Sequence, residues 1–432
     1  MQLPEELMGP SVPTNNQSIL PYFNFEIAST PNCNMACTYC FEGDELKSKA
    51  KQKQENIPKI VNKLKELLQD TGFRKEYSGI VLNFWGGEPT INFNWNKDLI
   101  MAIRKESING EPLPIKYFIY TNGYSYTKVT QHLDLFSKQE IEDSTIRIQI
   151  SWDGIEGQRL DHAGKQTLNI IRDNIKKIAK NYPNLNASTK ATIQPEELLK
   201  LSDIWLEFYK LHLELIGYAS KFKVSFSPTL NYVDDYEVTS EYLSKIEKEF
   251  QKTAKLELEF YSKFKDSLFS WFGGNNHKDL LSKRATNCSA GVNIIAMDLD
   301  GNVSPCHGTL YSPLKKQFIE FSDTNWDDVK FVEKVQQQRA KLKPELNRLD
   351  PSCVGCEATV CYKCPIVNVE QAVKNYPLDP PNPQISDSKK PSIEPNRILI
   401  NFQNRDPRHC SIYKTFGPID RAFVNIKAQK NI

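Results

Sequence analysis

Short apolar bursts along the first half of the chain are each followed by a stretch whose apolar positions recur every three or four residues. Phe23–Ser29 (FNFEIAS) alternates as a strand does. Ile57–Asp70 then brings Ile60, Val61, Leu64, Leu67 and Leu68 to one side of a helix, with Pro58 near its start. Ile80–Trp85 (IVLNFW) is a near-continuous apolar run, the pattern of a strand covered on both faces. Asn94–Ser107 reads as a helix, and Ile115–Thr121 and Thr145–Ser151 read as a third and a fourth strand. Leu168, Ile171, Ile175 and Ile178 stripe the next helix. Ala187–Ile193 and Phe222–Ser227 are weaker fifth and sixth strands, with helical sequence between them. Such alternation predicts an α/β fold, a parallel sheet with crossover helices. Periodicity alone leaves a partial barrel and an open doubly wound sheet equally open. In either, functional groups gather at the C-terminal ends of the strands.

The second half is patterned differently. Ser240–Phe264 is helical, and Asn293–Leu299 followed by Asp300–Gly301 and Asn302–Cys306 reads as a β-hairpin with a tight turn. YPLDPPNPQISDSKKPSIEP, before Cys410, is too proline-rich for a helix or central strand and reads as a surface excursion. Residues 1–21 are proline-broken and read as an N-terminal arm.

Composition narrows the partners. The 55 basic residues nearly balance 53 acidic ones, so nothing suggests a nucleic-acid surface. The start, MQLPEELMGP, lacks the basic-then-apolar order of a signal peptide, and no apolar run approaches the roughly 18 residues of a membrane span. A cytoplasmic protein is expected, where disulfides are rare. The ten cysteines therefore need another reason. They fall into two sets, Cys33, Cys37 and Cys40 against Cys288, Cys306, Cys353, Cys356, Cys361, Cys364 and Cys410, and this clustering argues for metal sites.

The first set is a C-x3-C-x2-C loop inside Pro31–Glu42 (PNCNMACTYCFE). Three thiolates so close can hold a 4Fe–4S cube with one iron left without a protein ligand; a zinc loop is the plainer alternative. With Tyr39 ahead of the last cysteine, the motif resembles that of the radical S-adenosylmethionine (radical SAM) superfamily. The resemblance implies a partial (β/α)6 barrel whose cluster loop follows strand one, with SAM chelated at the open iron and Tyr39 beside it. Trp85–Thr90 (WGGEPT) ends the second strand; by resemblance Gly86, Gly87 and Glu88 meet the SAM amino group. Tyr120–Gly123 (YTNG) resembles a supporting element that includes Asn122. Ser151–Gly154 (SWDG) resembles the S-x-D-G signature of peptide- and protein-modifying members, which implies Ser151 and Asp153 beside SAM. In the following GQRLDHAGKQT, Arg159 is the candidate partner of the SAM carboxylate, although the spacing departs from His-Asp-x-x-Arg, and His162 reads as a polar loop residue.

The second set reads Cys288-x12-Gly301-x4-Cys306, then Cys353-x2-Cys356-x4-Cys361-x2-Cys364-Pro365, then Cys410. It resembles the seven-cysteine SPASM extension, with the two later gaps of the quartet each one residue short. Zinc-ribbon knuckles usually stand about 15–20 residues apart; here Cys356 and Cys361 are separated by four. Three 4Fe–4S cubes, one iron of which stays open for SAM, offer one more ligand position than the chain has cysteines. By resemblance Cys353, Cys356, Cys361 and Cys410 close an outer auxiliary cluster, and Cys288, Cys306 and Cys364 hold an inner one. The expected organisation is an arm over 1–21, a radical SAM barrel over 22–235, a helical bridge over 236–287 and a SPASM domain over 288–432.

The implied activity is reductive cleavage of SAM to a 5′-deoxyadenosyl radical that removes hydrogen from a substrate, with the auxiliary clusters taking up the surplus electron. SPASM-bearing relatives act mostly on peptides or proteins, so the leading expectation is a carbon–carbon, thioether or ether cross-link in a ribosomally made precursor peptide. The alternatives are sulfatase maturation to formylglycine or another protein-cofactor maturation. Sulfatase maturases typically carry an Asp base just after the second hairpin cysteine, where this chain has His307, a side chain able to accept a proton near neutral pH. Expected partners are the precursor peptide and a reductant such as flavodoxin or ferredoxin. With only 32 residues ahead of Cys33, leader recognition is expected to fall to a separate protein or to the body, with Ser240–Phe264 and Ser270–Arg284 as candidate surfaces. An iron–sulfur carrier or a zinc-stabilised binding module is the non-enzyme reading; neither needs GGEPT and SWDG at strand ends.

Overall fold

The computed structural model describes residues 20–40, 50–219, 221–226, 229–230, 237–271, 290–309, 324–346 and 407–429. Strand β1, Tyr22–Thr30, sends Phe23, Phe25 and Ile27 into the main apolar core. Helix α1, Ile57–Gln69, starts with a proline in its first turn and buries Ile60, Leu64 and Leu67 against that face, followed by the short α2, Thr71–Glu76. Next come β2, Gly79–Gly86, then α3, Phe93–Arg104, and a small hairpin of β3, Ser107–Ile108, and β4, Glu111–Pro112. Then follow β5, Ile115–Thr121, with α4, Tyr126–Leu133, and α5, Lys138–Glu142, which opens on a reciprocal Ser137–Glu140 cap. β6, Ile146–Ser151, and α6, Leu168–Asn181, lead to β7, Asn186–Lys190, β8, Thr192–Ile193, and α7, Leu201–Leu215. β9, Phe222–Lys223, and β10, Thr229–Leu230, precede α8, Ser240–Phe264. The last described elements are β11, Ile294–Met297, β12, Val303–Ser304, α9, Phe331–Leu346, and α10, Pro407–Gln429.

The main sheet runs β12-β11-β1-β2-β5-β6-β7-β9, parallel at every pairing except β11 with β12. From β1 to β9 the spatial order repeats the chain order. A doubly wound sheet would reverse direction at a switch point; unreversed winding is that of a partial (β/α) barrel, and it settles what periodicity left open. Two strands are shorter than the pattern predicts, for visible reasons. The fifth breaks after Lys190 because the Thr192 N–H donates to the Asp153 carboxylate (2.9 Å). The sixth keeps two ladder residues because Phe226 turns away to bond with Leu268 and Ser270.

The predicted hairpin is present. The Asp298 carboxylate accepts from the Asp300 and Asn302 N–H groups, and Gly301 turns at φ +84° under the Trp326 ring, where a Cβ would collide with the indole. It does not stand apart, because β11 lies parallel to β1 and extends the barrel sheet by its free edge. Helix α8 is held on two sides, by α7 through Trp205 and Phe260 and by α10 through Phe250 and Phe416 (5.1 Å between rings). The residues 1–19, Cys288 and the quartet Cys353, Cys356, Cys361 and Cys364 lie outside the described residues, as does most of the 270–284 stretch, and of Cys410 only the backbone, in α10, is described.

Candidate active site

Between them, the ends of β1, β2, β5 and β6 hold the cysteine loop. Gly87 and Glu88 donate backbone N–H bonds to the carbonyls of Thr30 (3.0 Å) and Asn32 (2.9 Å), so the GGE segment runs against the start of the loop. Any Cβ on Gly86 or Gly87 would strike the Thr30 and Pro31 carbonyl oxygens, which explains the two glycines without invoking a ligand. Met35 is buried as the loop's anchor and bridges to Asp161; Ala36 and Thr38 donate to the Leu160 and Gln158 carbonyls, and His162 Nε2 lies 2.9 Å from the Cys33 carbonyl. The segment after SWDG is thus a brace for the loop.

Glu88 is fully enclosed. Its carboxylate accepts from Thr90 N (3.1 Å) and Oγ1, from Thr121 Oγ1 (2.9 Å) and from the Asn122 backbone N–H (2.7 Å). It ties the end of β2 to the end of β5, with burial pushing its pKa up against these donors. Asn122 in turn donates Nδ2 to Asn34 Oδ1 (2.7 Å) and sits 3.6 Å from Cys33 Sγ.

Asp153 joins two further predicted residues. Its Oδ2 accepts from the Tyr39 hydroxyl (2.7 Å) and lies 3.0 Å from Arg159 Nε, while its Oδ1 takes the Thr192 N–H. The Arg159 guanidinium stacks over the Tyr39 ring (5.6 Å) and points Nη1 at Cys37 Sγ (4.0 Å). Desolvation alone would lower the Arg159 pKa, but the adjoining Asp153 charge outweighs it and the pKa is raised. Of the predicted residues, then, Tyr39, Asp153 and Arg159 form one buried cluster against the loop and Gly87, Glu88 and Asn122 another. Ser151 closes β6 half-buried, in register with Lys190.

His307 lies deeper, over the inner face of the sheet. Its backbone N–H and Nδ1 both meet the Glu26 carboxylate, at 2.9 Å each to Oε2, and its ring lies 5.1 Å from Trp85 and 6.2 Å from Tyr120. Glu26, Trp85 and Tyr120 are the site residues that motif reading passed over. The signal was available: in FNFEIAS the phenylalanines and Ile27 take one face of β1, which leaves Asn24 and the single acid, Glu26, on the other.

Among the described residues no group of three His, Cys, Asp or Glu side chains is arranged to hold a metal ion, but Cys33, Cys37 and Cys40 lie close enough to feel one another's charge. Burial first, and then the Glu88 charge, push the Cys33 pKa up to about 12, with Cys37 and Cys40 adding to the rise. Burial also raises Cys37, partly offset by Arg159. Three mutually repelling, desolvated thiolates require multivalent positive charge, which cluster irons supply, and the Asn122 amide and Arg159 guanidinium are placed to donate to sulfur.

Residues 27–198 match the model of the Radical SAM superfamily. A Clostridium novyi protein described as a cysteine-type anaerobic sulfatase-maturating enzyme is 25% identical over 312 residues, 68% of this chain and 75% of the relative. A probable GTP 3′,8-cyclase of Pyrococcus abyssi is 27% identical over 184 residues, 42% of this chain and 52% of that one. In fold, the solved structure of anSMEcpe with bound AdoMet superposes with a TM-score of 0.63 at 17% identity, covering 95% of this chain and all of the other (100%). Streptococcus suis SuiB bound to its precursor peptide SuiA gives 0.50 at 13% identity, covering 81% and 73%. The cysteine loop, the strand ends that hold it and the superfamily match fall on the same residues: this chain carries a radical SAM domain.

Proposed function

We propose that the chain is a radical SAM maturase that cross-links a ribosomally made precursor peptide. Cys33, Cys37 and Cys40 hold the SAM-binding 4Fe–4S cluster, and Gly86, Gly87, Asn122, Ser151 and the Tyr39–Asp153–Arg159 cluster border the SAM. When bound and reduced, the cluster and SAM would supply radical chemistry able to take a hydrogen atom from an unactivated carbon. The chain's own part is to exclude water and fix the target against the cofactor. Glu88 does this indirectly, as a positioning residue joining two strand ends. Cys288, Cys306, Cys353, Cys356, Cys361, Cys364 and Cys410 are assigned, on their spacing, to two auxiliary clusters of a SPASM domain over 288–432, which they would hold as electron acceptors.

The observation that carries the cross-linking reading is His307. It follows the second hairpin cysteine, where sulfatase maturases keep an aspartate, and it is oriented by Glu26 beneath Trp85. A second reading, formylglycine formation, is favoured by the similarity to the Clostridium novyi enzyme over 312 residues. The two separate by product. Co-expression with a short peptide encoded beside the enzyme, followed by mass spectrometry, should show loss of two hydrogens per cross-link and no hydrazine-reactive aldehyde. An aldehyde on a Cys- or Ser-containing sulfatase peptide would establish the second reading instead.

A further inference from the structure

The strands β1, β2, β5, β6 and β7 carry four charged residues, Glu26, Lys116, Arg147 and Lys190. Strand alternation places all four on the inner face, because their neighbours Phe25, Ile27, Tyr117, Ile146, Ile148 and Ala187 enter the outer core. Three cations thus face one carboxylate, and that carboxylate is engaged by His307. Lys116 lies over the Tyr22 ring (4.9 Å). Arg147 stacks on Phe118 (5.4 Å), and its buried Nε has no hydrogen-bond partner.

Lys190 is the most exacting of the three. It closes β7 at the C-terminal end, opposite Ser151, in the layer where the proposed cofactor site opens. Burial holds its pKa below the usual lysine value, with no acid opposing the shift, and among the described residues no Asp or Glu pairs with it. Arg159 differs, since Asp153 already neutralises it at 3.0 Å. A desolvated ammonium without a counter-charge is costly. A ligand that brings an anion removes the cost, and Arg147, on the neighbouring strand, adds to the positive potential that would draw it in.

We propose that Lys190 pairs with a carboxylate of the bound ligand at the mouth of the barrel. The inference rests on the radical SAM reading of the site. The carboxylate has two sources, an acidic group of the peptide substrate or the α-carboxylate of SAM, and two arms distinguish them. In the first, the reconstituted, SAM-loaded holoenzyme selects from a pool of short random peptides. Wild type should enrich Asp and Glu, and Lys190→Met should reduce that enrichment about tenfold, with Lys190→Arg restoring part of it. In the second, SAM is compared with decarboxylated SAM by equilibrium binding. If the carboxylate is the cofactor's, wild type prefers SAM and Lys190→Met loses about tenfold of that preference while peptide selection is unmoved. Iron content and melting temperature of each variant report whether it has folded. Unchanged acid enrichment together with an unchanged SAM preference would overturn the inference. Should wild type itself fail to bind SAM, the radical SAM reading fails instead.

Discussion

The two faces of the barrel sheet divide the work. On the outer face Phe23, Phe25, Ile27, Leu82, Phe84, Ile119 and Ile148 are buried under helices. On the inner face the same strands present Asn24, Glu26, Asn83, Arg147, Gln149, Ser151 and Lys190, with Trp85 and Tyr120 among them. One backbone therefore supports a water-free apolar layer for stability and, within a few ångströms, a polar layer for chemistry. Substitutions on the two faces should fail in different ways.

The largest effect belongs to the loop above the inner face. Replacing Cys33, Cys37 or Cys40 with Ala should reduce SAM cleavage to background, measured as 5′-deoxyadenosine, while leaving the secondary structure seen by circular dichroism intact. Next, Phe25→Ala should cost about 3–5 kcal/mol in denaturant unfolding, the usual price of emptying an aromatic site in a packed core. Its neighbour Glu26→Gln should cost far less stability and instead slow turnover of substrate. Equal losses of stability at the two positions would dissolve the distinction between the faces.

Asp153→Asn tests the buried ion pair between them. It leaves the Arg159 guanidinium enclosed without its carboxylate, and removal of one partner of such a pair costs about 3–5 kcal/mol. Asp153→Asn with Arg159→Met should recover part of that loss, since the repaired core then holds no unpaired charge.

The smallest effect is pH-dependent. His132 on α4 is buried between Asn96 and the Lys128 carbonyl, and burial lowers its pKa from 6.5 to about 4. The unfolded chain therefore takes up a proton that the folded one refuses. Stability should be full above about pH 6.5 and decline as pH falls towards 4, by at most about 3 kcal/mol. His132→Gln, which cannot titrate, should flatten that part of the profile in thermal melts.

Much of this was legible in the sequence, for particular reasons. Cysteine spacing marks a site because few other structures need it, and Pro31–Cys40, WGGEPT and SWDG do converge at the strand ends. Barrel winding was not legible, since hydrophobic period says which face is buried but not which strand lies beside which. The partner that Arg159 has within the chain was not legible for a related reason. Spacing along the sequence does not show that the fold brings Asp153 within 3.0 Å of it. Glu26 escaped because one acid in an apolar strand resembles an edge residue until β11 closes that edge and carries His307 over it.

The most direct measurement is anaerobic: reconstitute the protein with iron and sulfide, reduce it with dithionite, add SAM and follow 5′-deoxyadenosine by liquid chromatography. The account predicts about twelve irons per chain and production of 5′-deoxyadenosine that stops when Cys37 is replaced by Ala. A protein that retains its iron, binds SAM and yet releases no 5′-deoxyadenosine would contradict it.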